Sequence, residues 1–231
     1  MMRAVFTALG TRDSNEDMGA VTPDGLIACD GMGGELNGEV ASGELVSRFL
    51  AGASPEDLVV SGERWVREAE TGRDGGSTCT VAWVDADGVA TIRHAGDSGM
   101  FVLRRGSSVA ERLTETHSLG ERRFLAGTLE LAAARRLRNV LMKVVSSGNP
   151  MRSEDWDAKT VQVWPGDVLF AATDGFLEAY DAPDSLAVDC AKLGADVRRL
   201  LGGGVSGDEL VAAAAAATPN GDNATLVVWE A

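Results

Sequence analysis

The chain has 231 residues, 45% of them hydrophobic and 24% charged, with a formal net charge of -14. That length allows one large domain or two small ones, each with a sizeable core, and one domain over 1–231 is the simpler reading. The acidic balance, with no basic tail to offset it, argues against a nucleic-acid partner and gives no support to a membrane-surface role.

Elements follow from the patterning in chain order. Short runs rich in Val, Thr, Ile and Trp at 4–9 and 26–29 predict strands, and helical spacing follows at 39–50 and at 56–70, the latter capped by Ser54-Pro55. Strands are predicted at 78–84, 89–94 and 100–103, then helices at 118–125 and 129–135. Strands at 160–163 and 168–172 precede helices at 186–201 and 207–217, and a last strand covers 224–229. Gly202-Gly203-Gly204 should stop the first of those two helices, and Ser206-Gly207-Asp208-Glu209 should cap the second. Asp24-Gly25 and Asp87-Gly88 stand between strand runs, where positive φ is needed, and predict tight hairpins in an antiparallel sheet. Strands and helices come in groups, which predicts a layered α+β domain over a doubly wound parallel sheet.

Cys29, Cys79 and Cys190 are odd in number, widely spaced and set in apolar surroundings, so they read as reduced, buried thiols and not as a disulfide framework or thiolate metal site. The opening Met1-Met2-Arg3-Ala4-Val5-Phe6 lacks the apolar core of a signal peptide, and the longest apolar run, 210–217, is too short to span a bilayer. A cytoplasmic protein is expected. Charge is uneven: 104–143 carries nine Lys/Arg against four Asp/Glu. Such a basic segment over an acidic body could draw phosphorylated substrates, or it could be a solvated helix face rich in arginine.

Four acidic blocks bear the chemistry: Glu16-Asp17, Asp30-Gly31-Met32-Gly33-Gly34, Asp174-Gly175 and Asp222-Asn223. Taken singly, each is a turn or a solvated loop. Together they differ, because Asp30 and Asp174 directly follow apolar runs that should be central strands. Carboxylates delivered from such distant strand ends can converge only in the fold, and convergent carboxylates repel unless cations lie between them. An oxygen-only set suits Mg2+ or Mn2+ better than zinc, for which His94, His117 and the scattered cysteines are poor ligands.

In order and wording these blocks resemble the metal-dependent protein phosphatases of the 2C type. Arg12-Asp13-Ser14-Asn15-Glu16-Asp17 is similar to that family's opening block, and Cys29 to Gly34 with Gly38-Glu39-Val40-Ala41-Ser42 to its glycine block. Gly76-Ser77-Thr78, Gly96-Asp97-Ser98, Gly166-Asp167 with Thr173-Asp174-Gly175, and Asp222-Asn223-Ala224-Thr225 follow in the same order. His117-Ser118 through Arg138-Asn139-Val140-Leu141 resembles the flap of bacterial members, about 114–150. The resemblance spans essentially the whole chain.

It implies a four-layer α-β-β-α sandwich, two central antiparallel sheets flanked by helices, and a monomeric serine/threonine phosphoprotein phosphatase dependent on Mn2+ or Mg2+. By the family pattern Asp30 bridges two cations, Gly31 offers its carbonyl, and Asp174 and Asp222 complete the second cation's shell. Glu16 and Asp17 hold metal-bound waters, Asp97 serves a weaker third cation, and Arg12 grips the substrate phosphate. The substrate would be a phosphoprotein, such as a bacterial Ser/Thr kinase or its target. Three departures stand out. Met32 replaces a histidine seen chiefly in eukaryotic members, so a metal-bound water would protonate the leaving group. Gly99 replaces the arginine usual after Gly-Asp-Ser, and the aspartate usual before His-Ser is missing at Glu115-Thr116-His117.

Of the remaining candidates, His94 is expected in the core or behind the site, His117 as a helix cap, and Met142 and Met151 as packing residues. Two other classes compete: a phosphoprotein-binding or sensory module that has lost turnover, and a structural cation module, which would need a contiguous ligand loop.

Overall fold

The computed structural model describes residues 1–32, 38–69, 75–148 and 151–231. Gly33 and Gly34 of the glycine block, and the end of the second expected helix at Glu70, lie outside the described residues. The chain opens with β1 (Arg3–Ala8), β2 (Asp17–Thr22) and β3 (Gly25–Met32), then turns into helices α1 (Gly38–Leu50) and α2 (Pro55–Ala69). Five strands follow, β4 (Gly76–Ser77), β5 (Cys79–Val84), β6 (Val89–Ala95), β7 (Gly99–Leu103) and β8 (Glu111–Arg112). Short helices α3 (Leu119–Leu125) and α4 (Leu131–Arg136) lead to β9 (Val145–Ser146), β10 (Asp157–Gln162) and β11 (Val168–Ala172). Helices α5 (Asp174–Leu177), α6 (Cys190–Leu201) and α7 (Gly207–Ala217) precede the last strand, β12 (Ala224–Glu230).

Among the described residues these strands form two antiparallel sheets. One runs β1-β12-β11-β7-β8; the other runs β10-β6-β5-β3-β4-β9, with β2 paired to β3. Side-chain alternation along β3 shows how they stack: Leu26 and Ala28 join Ala82, Met100, Leu169 and Val227 between the sheets, whereas Ile27 and Cys29 pack with Val81, Leu45, Phe49 and Leu58 beneath α1 and α2. On the far side, Phe101, Phe170, Leu193, Val197, Leu210 and Val211 fill the space between the first sheet and α6 and α7. Strands buried on both faces read as continuous apolar runs, which is why β7 and β11 show no polar alternation. Phe101 and Phe170, directly opposite in register, stack at 5.2 Å. The expected α-β-β-α sandwich is the observed one.

Differences from the expected elements have local causes. β2 was not predicted, since only Val21 and Thr22 favour a strand; pairing with β3 from Asp17↔Asp30 to Thr22↔Gly25 supplies the stability its own sequence lacks. Of the two predicted hairpin glycines, Gly88 has φ +77, but Gly25 is the first residue of β3. A Cβ on Gly25 would meet the Ala82 carbonyl oxygen at 2.2 Å, so close approach demands glycine there. Helix α6 begins at Cys190 and not at 186, because the Asp189 side chain accepts from the Ala191 and Lys192 amides and fixes the cap there. Ser54 with Asp57, and Ser206 with Glu209, form the reciprocal caps foreseen for α2 and α7.

The basic segment divides. Arg104, Arg112, Arg138 and Lys143 are tied into ion pairs with Asp167, Glu121, Asp181 and Asp157. Arg122, Arg123, Arg135 and Arg136 are exposed, as a solvated helix face would be. No described helix is long and apolar enough to cross a membrane.

Candidate functional site

The sandwich delivers acidic residues to one rim. Asp30 lies near the end of β3, Asp174 begins α5 two residues after the end of β11, Asp97 follows the turn after β6, and Asp222 precedes β12. Carboxylate oxygens of Asp30, Asp97 and Asp174 all lie within 4.8 Å of one another. They line a cavity of about 410 Å3 together with Arg12, Glu16, Gly31 and Asp222. Asp97, assigned by resemblance to a weaker third cation, thus falls within the same 4.8 Å cluster as Asp30 and Asp174. Asp222 faces the same cavity, with its Oδ2 2.7 Å from Arg12 Nη2.

Electrostatics make this arrangement costly without a counter-charge. Burial, and then the neighbouring Asp17 and Asp174 charges, push the Asp30 carboxyl well above the usual range. Burial and Asp174 do the same to Asp97, and raise Asp222 as well. Asp17, directly across β2–β3 from Asp30, is pushed up to about 7, mainly by burial, even though Thr173 Oγ1 donates to it at 2.8 Å. Asp174 Oδ1 is buried with no hydrogen-bond partner among the described residues. Clustered, desolvated carboxylates with an unsatisfied oxygen form a donor set for a hard divalent cation. No histidine or cysteine lines the cavity among the described residues, so the set fits Mg2+ or Mn2+ and not a thiophilic metal.

The loop between β1 and β2 is held over this rim by Asn223, a residue the sequence reading noted in its block but gave no role. Its side-chain amide donates to the carbonyls of Leu9 and Ser14, and its Oδ1 accepts from the Glu16 amide at 2.9 Å. The Glu16 carbonyl in turn accepts from the Gly31 amide and the Ser42 hydroxyl. One buried amide therefore sets the positions of Arg12 and Glu16, and burial lifts the Glu16 carboxyl above its ordinary value. Thr173 was missed likewise; its hydroxyl also accepts from the Thr225 amide, linking β11 to β12 beneath Asp17. Asn139 and Leu141, from the 114–150 segment, close the cavity on the other side. A side-chain amide forked between two carbonyls has no local sequence signature, so these residues emerge only in the fold.

Other expectations turn out differently. His94 is fully buried, as predicted. His117 is not a helix cap: the Ser118 side chain caps α3 by accepting from Glu121 N, and the His117 ring turns inward to stack on His94. Met151 packs on the core under α2, but Met142 is 42% exposed. At Gly99 a Cβ would fall 2.7 Å from the Phe101 ring, so no arginine could stand there in this packing. Asp167 ties Arg104 and the Arg105 amide in a turn away from the cavity.

No family model matches this sequence, and no curated protein does. Solved structures match over its full length. PppA of Pseudomonas aeruginosa, a key regulatory component of its T6SS, superposes with TM-score 0.72 at 22% identity, covering 100% of this chain and 97% of that one. A serine/threonine phosphatase of S. agalactiae gives 0.71 at 20% identity and 100% coverage of both chains. The fold is that of the bacterial serine/threonine phosphatases. Among the phosphatase structures, the catalytic domain of PstP in complex with two manganese ions matches at TM-score 0.66 and 23% identity, over 98% of this chain and 96% of that one. Against this phosphatase fold, the acidic cavity lies at the rim where β3 and β11 end and β12 begins.

Proposed function

We propose that this chain is a Mn2+- or Mg2+-dependent serine/threonine phosphoprotein phosphatase, a single domain over 1–231 with a flap at about 114–150. The observation that carries the reading is the cavity's charge. Among the described residues Asp13, Glu16, Asp30, Asp97, Asp174 and Asp222 line it against one cation, Arg12, so a phosphate dianion would be repelled unless divalent cations were bound. Asp30, Asp97 and Asp174 would hold them, with Asp222 and the Gly31 carbonyl at the edge and Glu16 and Asp17 behind. Two such cations, when bound, supply water acidified toward neutrality and neutralise charge building on phosphorus.

The chain's own residues supply the rest. Arg12, released from Asp222, presents a planar, permanently charged fork to two phosphate oxygens and orients the ester for in-line displacement. Met32 lines the cavity, and its thioether has no titratable proton to give a leaving group. Asn139 and Leu141 border the opening where peptide flanking the phosphoresidue would lie. A Ser/Thr kinase or a kinase target fits as the phosphoprotein.

The deciding experiment is hydrolysis of a phosphothreonine peptide by metal-stripped protein titrated with Mn2+ and Mg2+, with Asp30→Ala beside it. Turnover that requires metal and disappears in the variant supports the reading. Cation binding without turnover would favour a phosphoprotein-binding module instead.

A further inference from the structure

Two buried imidazoles lie behind the acidic cavity without touching it. His94, on β6, accepts at Nδ1 from the Thr80 hydroxyl at 2.8 Å and directs Nε2 to the Glu115 carbonyl at 2.9 Å. A carbonyl can only accept, so Nε2 bears the proton. The His117 ring stacks on it, centroids 4.9 Å apart. His117 Nδ1 accepts from the Gly96 amide at 2.9 Å, which places its proton on Nε2, 3.2 Å from Asp157 Oδ1. Lys143 Nζ reaches the same Asp157 oxygen at 2.9 Å. Burial holds both rings neutral, pushing His94 down to about 3 and His117 to about 4.

His117 grips Gly96 twice. Besides the side-chain bond, the His117 amide donates to the Gly96 carbonyl at 2.8 Å. Gly96 has φ +120, a backbone state open to glycine that L side chains rarely adopt, and it forms the turn that leads β6 to Asp97. The next residue is Asp97, whose buried carboxylate belongs to the trio with the half-buried Asp30 and Asp174. The far end of the same segment joins in, since the Met142 amide donates to the His117 carbonyl and Leu141 lines the cavity.

We propose that His117 is a positioning residue: by accepting from the Gly96 amide it fixes the turn that aims Asp97 into the cation site, and so links the 114–150 segment to cation affinity. The inference rests on the phosphatase reading in one respect, that Asp97 is a cation ligand. Groups that orient metal ligands typically contribute about 10- to 100-fold to affinity.

Three variants separate this role from mere packing. Asn at 117 can place its amide oxygen near the Nδ1 position and keep the Gly96 bond while losing Asp157. Gln can place its amide nitrogen near Nε2 and keep Asp157 while losing Gly96, and Ala loses both. Calorimetric titration of the metal-stripped full chain with Mn2+ is expected to show about tenfold weaker binding at the weakest site for His117→Gln and His117→Ala. His117→Asn should stay within about threefold of wild type. Wild-type affinity in a folded His117→Gln, or equal weakening in Asn and Gln, overturns the proposal. Should the variants fail to fold, imidazole nitrogen NMR of wild type decides: an unprotonated, hydrogen-bonded Nδ1 on His117 supports it, and an Nδ1–H or a charged ring overturns it. Asp97→Asn keeps the two readings apart. If it loses a cation while His117→Gln does not, only the positioning role fails; if wild type binds no Mn2+, the phosphatase reading fails and this inference with it.

Discussion

Arg12 Nη2 and Asp222 Oδ2 lie 2.7 Å apart although 210 residues separate them in the chain. Arg12 keeps 48% of its side chain exposed, so this pair is worth at most about 1 kcal/mol and can be exchanged for a phosphate without unfolding the rim. Arg12→Lys keeps the charge but loses the fork. The Michaelis constant for a phosphothreonine peptide should rise about tenfold with a smaller change in kcat, the signature of one lost charge-assisted hydrogen bond. Steady-state kinetics check it, and an unchanged Michaelis constant would remove Arg12 from phosphate binding.

Asp17 gives the metal-stripped protein a specific pH response. Its folded carboxyl titrates at about 7 against 3.8 when exposed, so between those values the folded state holds a proton the unfolded state has released. Stability from this group is complete below about pH 4 and is lost as pH rises through about 7, on the order of a few kcal/mol. Asp17→Asn can still accept from Thr173 but cannot ionise. The difference in melting temperature between variant and metal-stripped wild type should therefore grow from pH 5 to pH 8, in the variant's favour. A constant difference would show that Asp17 is not buried in its proton-bound form.

Asn223→Ala should destabilise the chain by about 2–4 kcal/mol in urea unfolding, since three hydrogen bonds to the β1–β2 loop are lost at a residue only 5% exposed. Asn223→Asp preserves shape yet opposes an acceptor to the Leu9 and Ser14 carbonyls, and is expected to cost as much. If Asp were tolerated, the forked amide would not be what holds the loop.

Cys29 and Cys79 should resist iodoacetamide in the native state and react fully only in denaturant, as read by mass spectrometry. Both are fully buried, and burial raises the Cys29 thiol further above neutrality. They face each other across β3 and β5, between the Ala28↔Thr80 pair and the Thr78 to Asp30 hydrogen bond. Cys190 is partly exposed and should label first. Native labelling of Cys29 would mean that the sheet under α1 opens locally.

Much of the architecture was legible before the fold because strands buried on both faces leave unbroken apolar runs. β11 was predicted to the residue and β5 and β6 nearly so. β2 escaped because Asp17, Met18 and Gly19 carry little strand preference, and the partner that overrides it comes after the turn. The start of α6 was misplaced because Leu186 continues the apolar spacing, while the Asp189 cap decides where hydrogen bonding begins.

By itself the sequence determined which residue types could meet at a site and which cation they suit, since oxygen ligands and a scarcity of histidine are properties of composition. Its grouped strand and helix runs pointed to a layered α+β domain, and the four-layer order followed only from the resemblance of its ordered blocks to the 2C-type phosphatases. Tertiary structure alone decided that Asp97, expected only as a ligand of a weaker third cation, lies within 4.8 Å of Asp30 and Asp174, that Asn223 holds the loop bearing Arg12, and that His117 turns inward to Gly96. Those contacts join residues 20 to more than 200 positions apart, and a hydrogen bond depends on angles and distances fixed by the packing of two sheets, which no local pattern encodes.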